Sequence, residues 1–165
     1  MLPLAVRAAV PADFPALRPM LLDMGFVEDE AALVARFPAF CERDDLALLV
    51  AEDNLGQLLG YALVHDLGTD LRSGDSHQTA KLHDLYTVPE SRKQGVARRL
   101  MQAVEDWARA RPLRYVFWYA NEHTAAPAYE RMGYGSAGAG QEGYRFFEID
   151  LGDPGTRTPH PTRGS

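Results

Sequence analysis

Four basic residues surround one glycine in a short segment, and this pattern is typical of a turn that binds an anion. Arg92 and Lys93 precede Gly95, and Arg98 and Arg99 follow it. A glycine at the start of a helix lets an anion approach the unpaired N–H groups of the first turn, where the helix dipole favours negative charge. The spacing thus suggests a phosphate-binding turn, but by itself it fits an ordinary solvated loop better, because many capped loops share this composition.

The segments on either side of this turn predict a strand before it and a helix after it. In residues 82–88, β-branched and aromatic residues take part in an alternating pattern, which favours a strand that Pro89 ends. In residues 95–111 the apolar positions recur along one helical face, and Pro112 ends the helix. A strand, a tight turn and a helix would therefore hold the basic residues at a helix N-terminus.

Two longer segments match, in order and in separation, the signatures of one protein family. DLYTVPESRKQGVARRL, residues 84–100, contains the pattern Arg/Gln-x-x-Gly-x-Gly/Ala, which Arg92, Gly95 and Ala97 fill. AAPAYERMGY, residues 125–134, reads as a short helix with an alanine and then a tyrosine, followed by Gly-Tyr. On these residues the chain resembles the GNAT superfamily of acyl-CoA-dependent N-acetyltransferases.

The resemblance covers roughly residues 4–151, and EGYRFF at residues 142–147 is similar to the closing strand of the diamine and polyamine acetyltransferases. The chain also departs from the family pattern. Many relatives have glycine where it has Lys93 and Ala97, and the diamine branch commonly has glutamate where it has His83. We expect Lys93 to contact the phosphates, since its flexible cationic stem can turn outward.

The resemblance implies a fold and a cosubstrate. The fold class is α/β of mixed α+β type: a twisted, mostly antiparallel sheet with a central strand, pyrophosphate loop and helix, flanked by further helices. The cosubstrate is acetyl-CoA, whose pantetheine arm would bind backbone groups of the central strand as an added strand does. The coenzyme-binding residues implied in this way are Leu85, Thr87, Arg92, Lys93, Gln94, Gly95, Val96, Ala97 and Arg98.

Three residues are candidates for the proton transfers of an acetyl transfer. His83 is the first candidate for the base that deprotonates the amine, because an unperturbed histidine has a pKa of ~6.5, and Asp84 is the second. Neighbouring strand residues point to opposite faces, so only one of the two should face the substrate. By resemblance, Tyr129 protonates the departing CoA thiolate, and a backbone N–H near Leu85 stabilises the oxyanion. The structural alternatives are a hydrogen-bonded histidine and a core tyrosine.

The remaining segments predict the other elements. Strands are expected at residues 4–10, 46–52, 58–67, 113–120 and 144–151, and helices at residues 14–24, 28–43 and 121–132. Pro38 should interrupt the second helix, and Gly60 indicates a bulge or a close approach. Residues 68–80 have turn composition and should form the longest loop, and residues 137–143 a glycine-rich hairpin loop. Residues 113–120 carry aromatic residues on both faces and should be buried on both.

Composition and charge limit the classes of protein to which this chain can belong. The 165 residues fit one domain, residues 1–151, followed by a flexible tail, residues 152–165. The single cysteine, Cys41, excludes an internal disulfide, and the histidines show no metal-ligand spacing. The chain has no apolar run that could cross a bilayer and no signal-peptide pattern, so we expect a cytoplasmic protein without a membrane partner. The net charge of −6 argues against nucleic acid as a partner and is compatible with a cationic substrate.

Taken together, these features predict an enzyme that transfers acetyl from acetyl-CoA directly to a small primary amine through a tetrahedral intermediate. A polyamine-like or amino-acid-like acceptor and a homodimer are expected by resemblance alone. Three alternatives stay open: a protein or peptide N-acetyltransferase, a non-catalytic acetyl-CoA-binding regulatory module, and an interaction domain that has lost the coenzyme site. Activity on free amines would separate the first expectation from these three.

Overall fold

The computed structural model describes residues 3–25, 27–71, 74–138 and 141–152, over which strands and helices alternate. The strands are β1 Leu4–Ala8, β2 Leu46–Asp53, β3 Leu58–Asp70, β4 Gly74–Thr87, β5 Leu113–Asn121, β6 Ser136–Gly138 and β7 Tyr144–Asp150. The helices are α1 Phe14–Met24, α2 Glu30–Glu42, α3 Val96–Arg109 and α4 Ala126–Arg131.

The strands described form one sheet in the order β1-β2-β3-β4-β5-β7-β6. β1 pairs antiparallel with β2, β2 with β3, and β7 with both β5 and β6. β4 and β5 are parallel, from Gln78 opposite Leu113 to Lys81 opposite Phe117. This mostly antiparallel sheet, combined with helices, confirms the predicted fold class.

The chain divides into two compact units. The first consists of residues 1–65 and 83–107, and the second of residues 66–82 and 108–165. Strand β4 contributes to both, since its residues from His83 onward belong to the first unit.

The domain boundary expected near residue 151 stays a prediction, because residues 153–165 of the expected tail lie outside the described part of the chain. Over the ranges that are described, no helix combines the length and the apolar character needed to cross a lipid bilayer.

Helices α1 and α2 supply the apolar core of the first unit. Helix α1 begins and ends at the predicted residues and buries Leu17 completely. Helix α2 buries Phe37, whose ring lies 4.9 Å from that of Phe14. The same core cluster contains Tyr61 of β3 and Tyr86 of β4, so two hydroxyl groups are carried into an otherwise apolar region.

Helix α2 continues without a break through Pro38, so the predicted interruption there is wrong. A proline removes one helical hydrogen bond, here the bond to the carbonyl of Val34. Pro38 and Val34 are both exposed, so water can replace the missing donor.

The long loop predicted at residues 68–80 is mostly β-structure, and that prediction is wrong. β3 extends to Asp70, and β4 begins at Gly74. Small and polar residues have a weak intrinsic preference for strands, but strand preference depends strongly on context. Here pairing of residues 78–81 with β5 supplies the partners that the backbone groups need.

Two elements of the second unit also differ from the prediction. Part of the expected glycine-rich loop forms β6, which pairs antiparallel with β7. Helix α4 starts only at Ala126, because the side chain of Asn121 accepts hydrogen bonds from the amides of His123 and Thr124 and turns the chain first. The second signature therefore lies on a shorter helix than predicted.

Strand β5 is buried along one side and, on the other side, only over its first part. Val116, Trp118 and Ala120 are buried on the first side. On the other side Leu113 and Tyr115 are buried, Phe117 is half-buried and Tyr119 is 52% exposed. The predicted burial of both faces is therefore wrong at Tyr119. Its ring instead packs against an aromatic residue of the neighbouring strand β7, and such a cross-strand pair stabilises a sheet without full burial.

Candidate active site

The turn between β4 and α3 contains two residues in the left-handed backbone conformation. Lys93 has a φ of 64° and Gly95 a φ of 89°. Glycine adopts this conformation without cost, whereas other residues do so rarely. Strained backbone of this kind is concentrated at ligand-binding and active sites, so the position of Lys93 marks the turn as a candidate site.

Gly95 faces open space. A Cβ atom built on Gly95 would have no heavy atom within 4 Å, so its backbone conformation, and not crowding, requires the glycine. Lys93 and Gln94 beside it are exposed. A ligand group can therefore reach the backbone of this turn.

Two side chains fold back and hold the turn in place. The Nε of Arg92 donates to the carbonyl of Thr87 over 2.9 Å, and the Nε2 of Gln94 donates to the carbonyl of Glu90 over 3.1 Å. The guanidinium of Arg92 also lies 5.7 Å from the ring centroid of Tyr86. These contacts tie the turn to the end of β4.

The start of α3 is fixed by a close contact with β3. Val96 is buried and Ala97 is half-buried, whereas Arg98 is exposed. A Cβ atom on Gly60 of β3 would lie 3.2 Å from Cγ1 of Val96 and only 2.3 Å from the carbonyl oxygen of Tyr86. The predicted close approach at Gly60 is thus confirmed, and it brings β3 against the end of β4.

Asp84 lies on the interior side of β4, where its carboxylate accepts a hydrogen bond from Tyr61. The Tyr61 hydroxyl is 3.0 Å from Oδ2 of Asp84, and Tyr61 is fully buried. Burial raises the pKa of the Asp84 carboxyl, and the hydrogen bond from Tyr61 and the charge of His83 partly oppose that rise. A carboxylate in these surroundings is a stronger base than a solvated one.

Tyr86 connects the Tyr61–Asp84 pair to α1 and to the turn between β4 and α3. Its ring stacks on that of Tyr61, with centroids 5.9 Å apart. Its hydroxyl donates to Oδ2 of Asp23 on α1 over 2.5 Å, and Arg92 of the turn lies over the same ring. Burial and the hydrogen bond to Asp23 raise the pKa of Tyr86, so its hydroxyl keeps its proton.

His83 is exposed and lies in a cluster of polar side chains. Its ring stacks on that of His65, with centroids 5.9 Å apart. Nε2 of His65 is 3.0 Å from Oδ2 of Asp45, to which Arg43 also donates over 2.7 Å. The hydrogen bond from Arg43 lowers the pKa of Asp45 to about 2. The surroundings of His83 are therefore exposed and charged.

Leu85 and Thr87 form the last part of β4 and are half-buried. Both lie past Lys81, the last β4 residue of the parallel register with β5. The carbonyl of Thr87 already accepts the hydrogen bond from Arg92. The backbone at Leu85 and Thr87 is predicted to bind the pantetheine arm, and the carbonyl of Thr87 is therefore already bonded to a side chain of the turn.

Tyr129 belongs to the second unit, where α4 places its ring in an aromatic cluster. The residue is 8% exposed. Its ring centroid lies 5.1 Å from that of Trp118, 5.2 Å from that of Phe147 and 6.4 Å from that of Tyr134. The ring thus has the surroundings of a core aromatic residue, and the proton-donor role of its hydroxyl stays a prediction.

Most of the predicted site residues lie in one contiguous segment, from His83 to Arg98, which belongs to the first unit, while Tyr129 lies in the second unit. Tyr61 could not be identified from the sequence, because it stands 23 positions before its partner Asp84, within an apolar strand. Among the described residues, no three His, Cys, Asp or Glu side chains converge on a point that could hold a metal ion.

Comparison with known proteins places these features in a family. Residues 14–134 match the model of the acetyltransferase (GNAT) family. The curated proteins include no sequence match to this chain.

Solved structures of low sequence identity share the fold. NAA60 from Arabidopsis thaliana, in complex with acetyl-CoA, is 17% identical with a TM-score of 0.69, over 91% of this chain and 99% of that chain. A variant of the spermidine N-acetyltransferase SpeG from Vibrio cholerae is 17% identical with a TM-score of 0.69, over 90% of this chain and 94% of that chain. The aminoglycoside 6′-N-acetyltransferase AAC(6′)-Ih from Acinetobacter baumannii is 14% identical with a TM-score of 0.69, over 82% of this chain and 93% of that chain.

Proposed function

This chain belongs to the acetyltransferase (GNAT) family, and from that premise we propose that it transfers the acetyl group of acetyl-CoA to a small primary amine. The observation that carries the proposal is the turn between β4 and α3. Its left-handed residues, Lys93 and Gly95, directly precede the N-terminus of α3. The family pattern of Arg92, Gly95 and Ala97 therefore stands in a conformation that opens a helix N-terminus to an anion.

The diphosphate of acetyl-CoA binds, in this proposal, at the start of α3. The first amides of a helix have no acceptor inside it, and here the intrahelical bonds begin with Arg99 N–H donating to the Gly95 carbonyl. The open space at Gly95 admits the ligand. Lys93 and Arg98 are exposed cations next to it, which can neutralise the diphosphate. Arg92 acts by holding the turn to Thr87.

The transfer itself needs a base and an acid. The amine nitrogen attacks the thioester carbonyl carbon, a base takes the amine proton, the C–S bond breaks, and the leaving thiolate takes up a proton. We assign the base to Asp84, with His83 as the second candidate, and the oxyanion contact to a backbone N–H near Leu85. Tyr129 is the proposed acid on the strength of the second signature.

The surroundings of the two candidate bases favour Asp84, which reverses the order expected from the sequence. A general base must be held in place, and it works best when its pKa lies near the operating pH. Tyr61 holds the Asp84 carboxylate from the interior, and burial raises the pKa of that carboxyl in this direction. His83 is exposed and stacks on His65, in solvated surroundings.

A small cationic amine is the acceptor that this environment favours. The net charge of the chain is −6, and the carboxylates of Asp84 and Asp23 are each hydrogen-bonded to one of two stacked tyrosines. Spermidine and aminoglycosides, the substrates named for two structural relatives, are amines of this kind. A homodimer and a cytoplasmic location are further proposals that the resemblance supports.

Calorimetric titration with acetyl-CoA, followed by free-thiol release with a panel of acceptors, tests the proposal. The panel contains a diamine, a polyamine, an aminoglycoside and a peptide with a free N-terminus. Binding with thiol release on free amines supports the proposed reaction. Release on the peptide alone identifies a peptide N-acetyltransferase, and binding without release identifies a non-catalytic acetyl-CoA-binding module.

Two variants at Gly95 test the coenzyme site. Gly95→Glu places a carboxylate beside the diphosphate, and we expect acetyl-CoA binding to weaken by at least about 100-fold, since like charges at this range cost several kcal/mol. Gly95→Ala is the matched control, because it introduces the same left-handed strain without a charge. Equal affinities of the two variants would reject the assignment of the turn as the diphosphate site.

A further inference from the structure

We propose that Tyr61 is a positioning residue for the acetyl transfer: its buried hydroxyl donates to the Asp84 carboxylate, holds it in place and favours its ionised form. The inference rests on the proposed function, in which Asp84 takes the proton of the amine. Tyr61 lies on β3, outside both family signatures.

Packing, and not the hydrogen bond alone, sets the position of the Tyr61 hydroxyl. The residue has 0% exposure and belongs to the core cluster with Leu17 and Phe37. Its ring stacks on that of Tyr86 with an interplanar angle of 24°. The adjacent Gly60 holds β3 so close to β4 that a Cβ atom there would clash with the Tyr86 carbonyl. The hydroxyl therefore meets Asp84 from a rigid support, as a positioning group must.

The direction of the hydrogen bond follows from the two proton affinities. Burial and the nearby Asp84 carboxylate raise the pKa of Tyr61, so the hydroxyl is protonated at any working pH and donates. Burial also raises the pKa of Asp84, and the bond from Tyr61 opposes that rise. Without the hydroxyl, the half-buried carboxyl would keep its own proton to a higher pH.

The other titratable groups in these surroundings do not hold the Asp84 carboxylate in place. The charge of His83 also lowers the pKa of Asp84, but the ring of His83 is exposed and stacks on that of His65. Tyr86 presents a second buried ring beside Tyr61, but its hydroxyl donates to Asp23 on α1. Tyr86 is therefore a natural control for Tyr61.

Tyr61→Phe removes the hydroxyl and keeps the stacked ring. We expect the acid limb of the kcat/KM profile to move up by about one pH unit, the tenfold change in proton affinity that loss of one hydrogen bond to a charged group gives. Tyr86→Phe removes a hydroxyl from the other ring of the same stack, and its acid limb should stay at the wild-type pH. General loosening of the core would move both profiles alike and would overturn the inference.

Carbon-13 NMR titration of the Asp84 carboxyl separates this inference from the proposed function, because it needs no turnover. It is measured in the wild-type, Tyr61→Phe and Tyr86→Phe proteins. A rise of the Asp84 pKa confined to Tyr61→Phe supports the inference, and if thiol release is absent from the whole acceptor panel, only the proposed function fails. An unchanged Asp84 pKa in Tyr61→Phe, or an equal rise in both variants, overturns the inference even in an active enzyme.

Discussion

Two hydrogen-bonded carboxylates near β4, one in buried and one in exposed surroundings, have pKa shifts of opposite direction. In the buried surroundings, Asp84 accepts from the buried hydroxyl of Tyr61. In the exposed surroundings, Asp45 contacts Arg43 and His65. Burial raises the pKa of Asp84, whereas the hydrogen bond from Arg43 lowers that of Asp45 to about 2.

The difference shows that the burial of a carboxylate decides the direction of its pKa shift. Asp45 has the charge of Arg43 beside it, and solvent and salt screen charges at an exposed site. Asp84 has a neutral donor and the charge of His83 beside it, but burial raises its pKa by more than the two lower it. A base with a raised pKa is therefore expected in the buried surroundings. His83 itself is exposed and stacks on His65.

The largest expected effect is that of Asp84→Asn on turnover. Removing the base while keeping the volume of the side chain should lower kcat/KM by about 10²- to 10⁴-fold, as measured by thiol release at saturating acetyl-CoA. Asp45→Asn, the same change in the exposed surroundings, should leave kcat/KM within about threefold of wild type. If Asp84→Asn retained its activity, Asp84 would not be the base, and Asp84 and Asp45 would not differ in function.

Gly60→Ala should destabilise the protein by disturbing the packing of β3 against β4. The new Cβ would lie 2.3 Å from the backbone oxygen of Tyr86, which cannot move away as a flexible side chain does. We expect the free energy of unfolding to fall by about 1–3 kcal/mol, as measured by urea denaturation. Gly138→Ala is the control, since a Cβ there meets no heavy atom within 4 Å. Equal stability of the two variants would show that β3 and β4 are less closely packed than described.

His83→Ala should have a smaller effect, because the residue is exposed. We expect kcat/KM within about threefold of wild type and a small upward shift of the acid limb, since the charge of His83 no longer lowers the pKa of Asp84. A loss as large as that of Asp84→Asn, concentrated below the pKa of the acceptor amine, would identify His83 as the base and reverse the comparison.

The smallest expected effects are on the pH dependence of the free energy of unfolding, to which Asp84 and Asp45 should contribute with opposite signs. The pKa of Asp84 is raised in the folded protein, so ionisation of Asp84 costs stability as pH rises above its unfolded value of ~3.9. Asp84→Asn should therefore gain stability relative to wild type as pH rises. The pKa of Asp45 is lowered, so its contribution is present above ~3.9 and is lost as pH falls towards about 2.

Urea denaturation from pH 2 to pH 7 measures both dependences. Relative to wild type, Asp45→Asn should be less stable above ~3.9 and equally stable near the lower end of the range, with a small amplitude because the site is exposed. If the free energy of unfolding relative to wild type changed with pH in the same direction for both variants, the contrast between Asp84 and Asp45 would be contradicted.

Sequence patterns predicted the parts of the molecule that depend on neighbours along the chain. Helix α1 has its predicted bounds, and the strand, turn and helix around Gly95 appear in the predicted order, because periodicity, caps and glycines act over a few residues. The loop at residues 68–80 and the break at Pro38 are wrong, since sheet pairing and solvent exposure overrode local preference.

The sequence by itself determined the family, the proposed coenzyme-binding turn and the two candidate bases, because each of these is written in contiguous residues with characteristic spacing. Only the tertiary structure decided that the pKa of Asp84 is raised. His83 and Asp84 are adjacent in the chain, but they contact different residues of another strand, His65 and Tyr61. A pKa depends on burial and on groups brought close in space, and neither can be read from neighbouring positions in the chain.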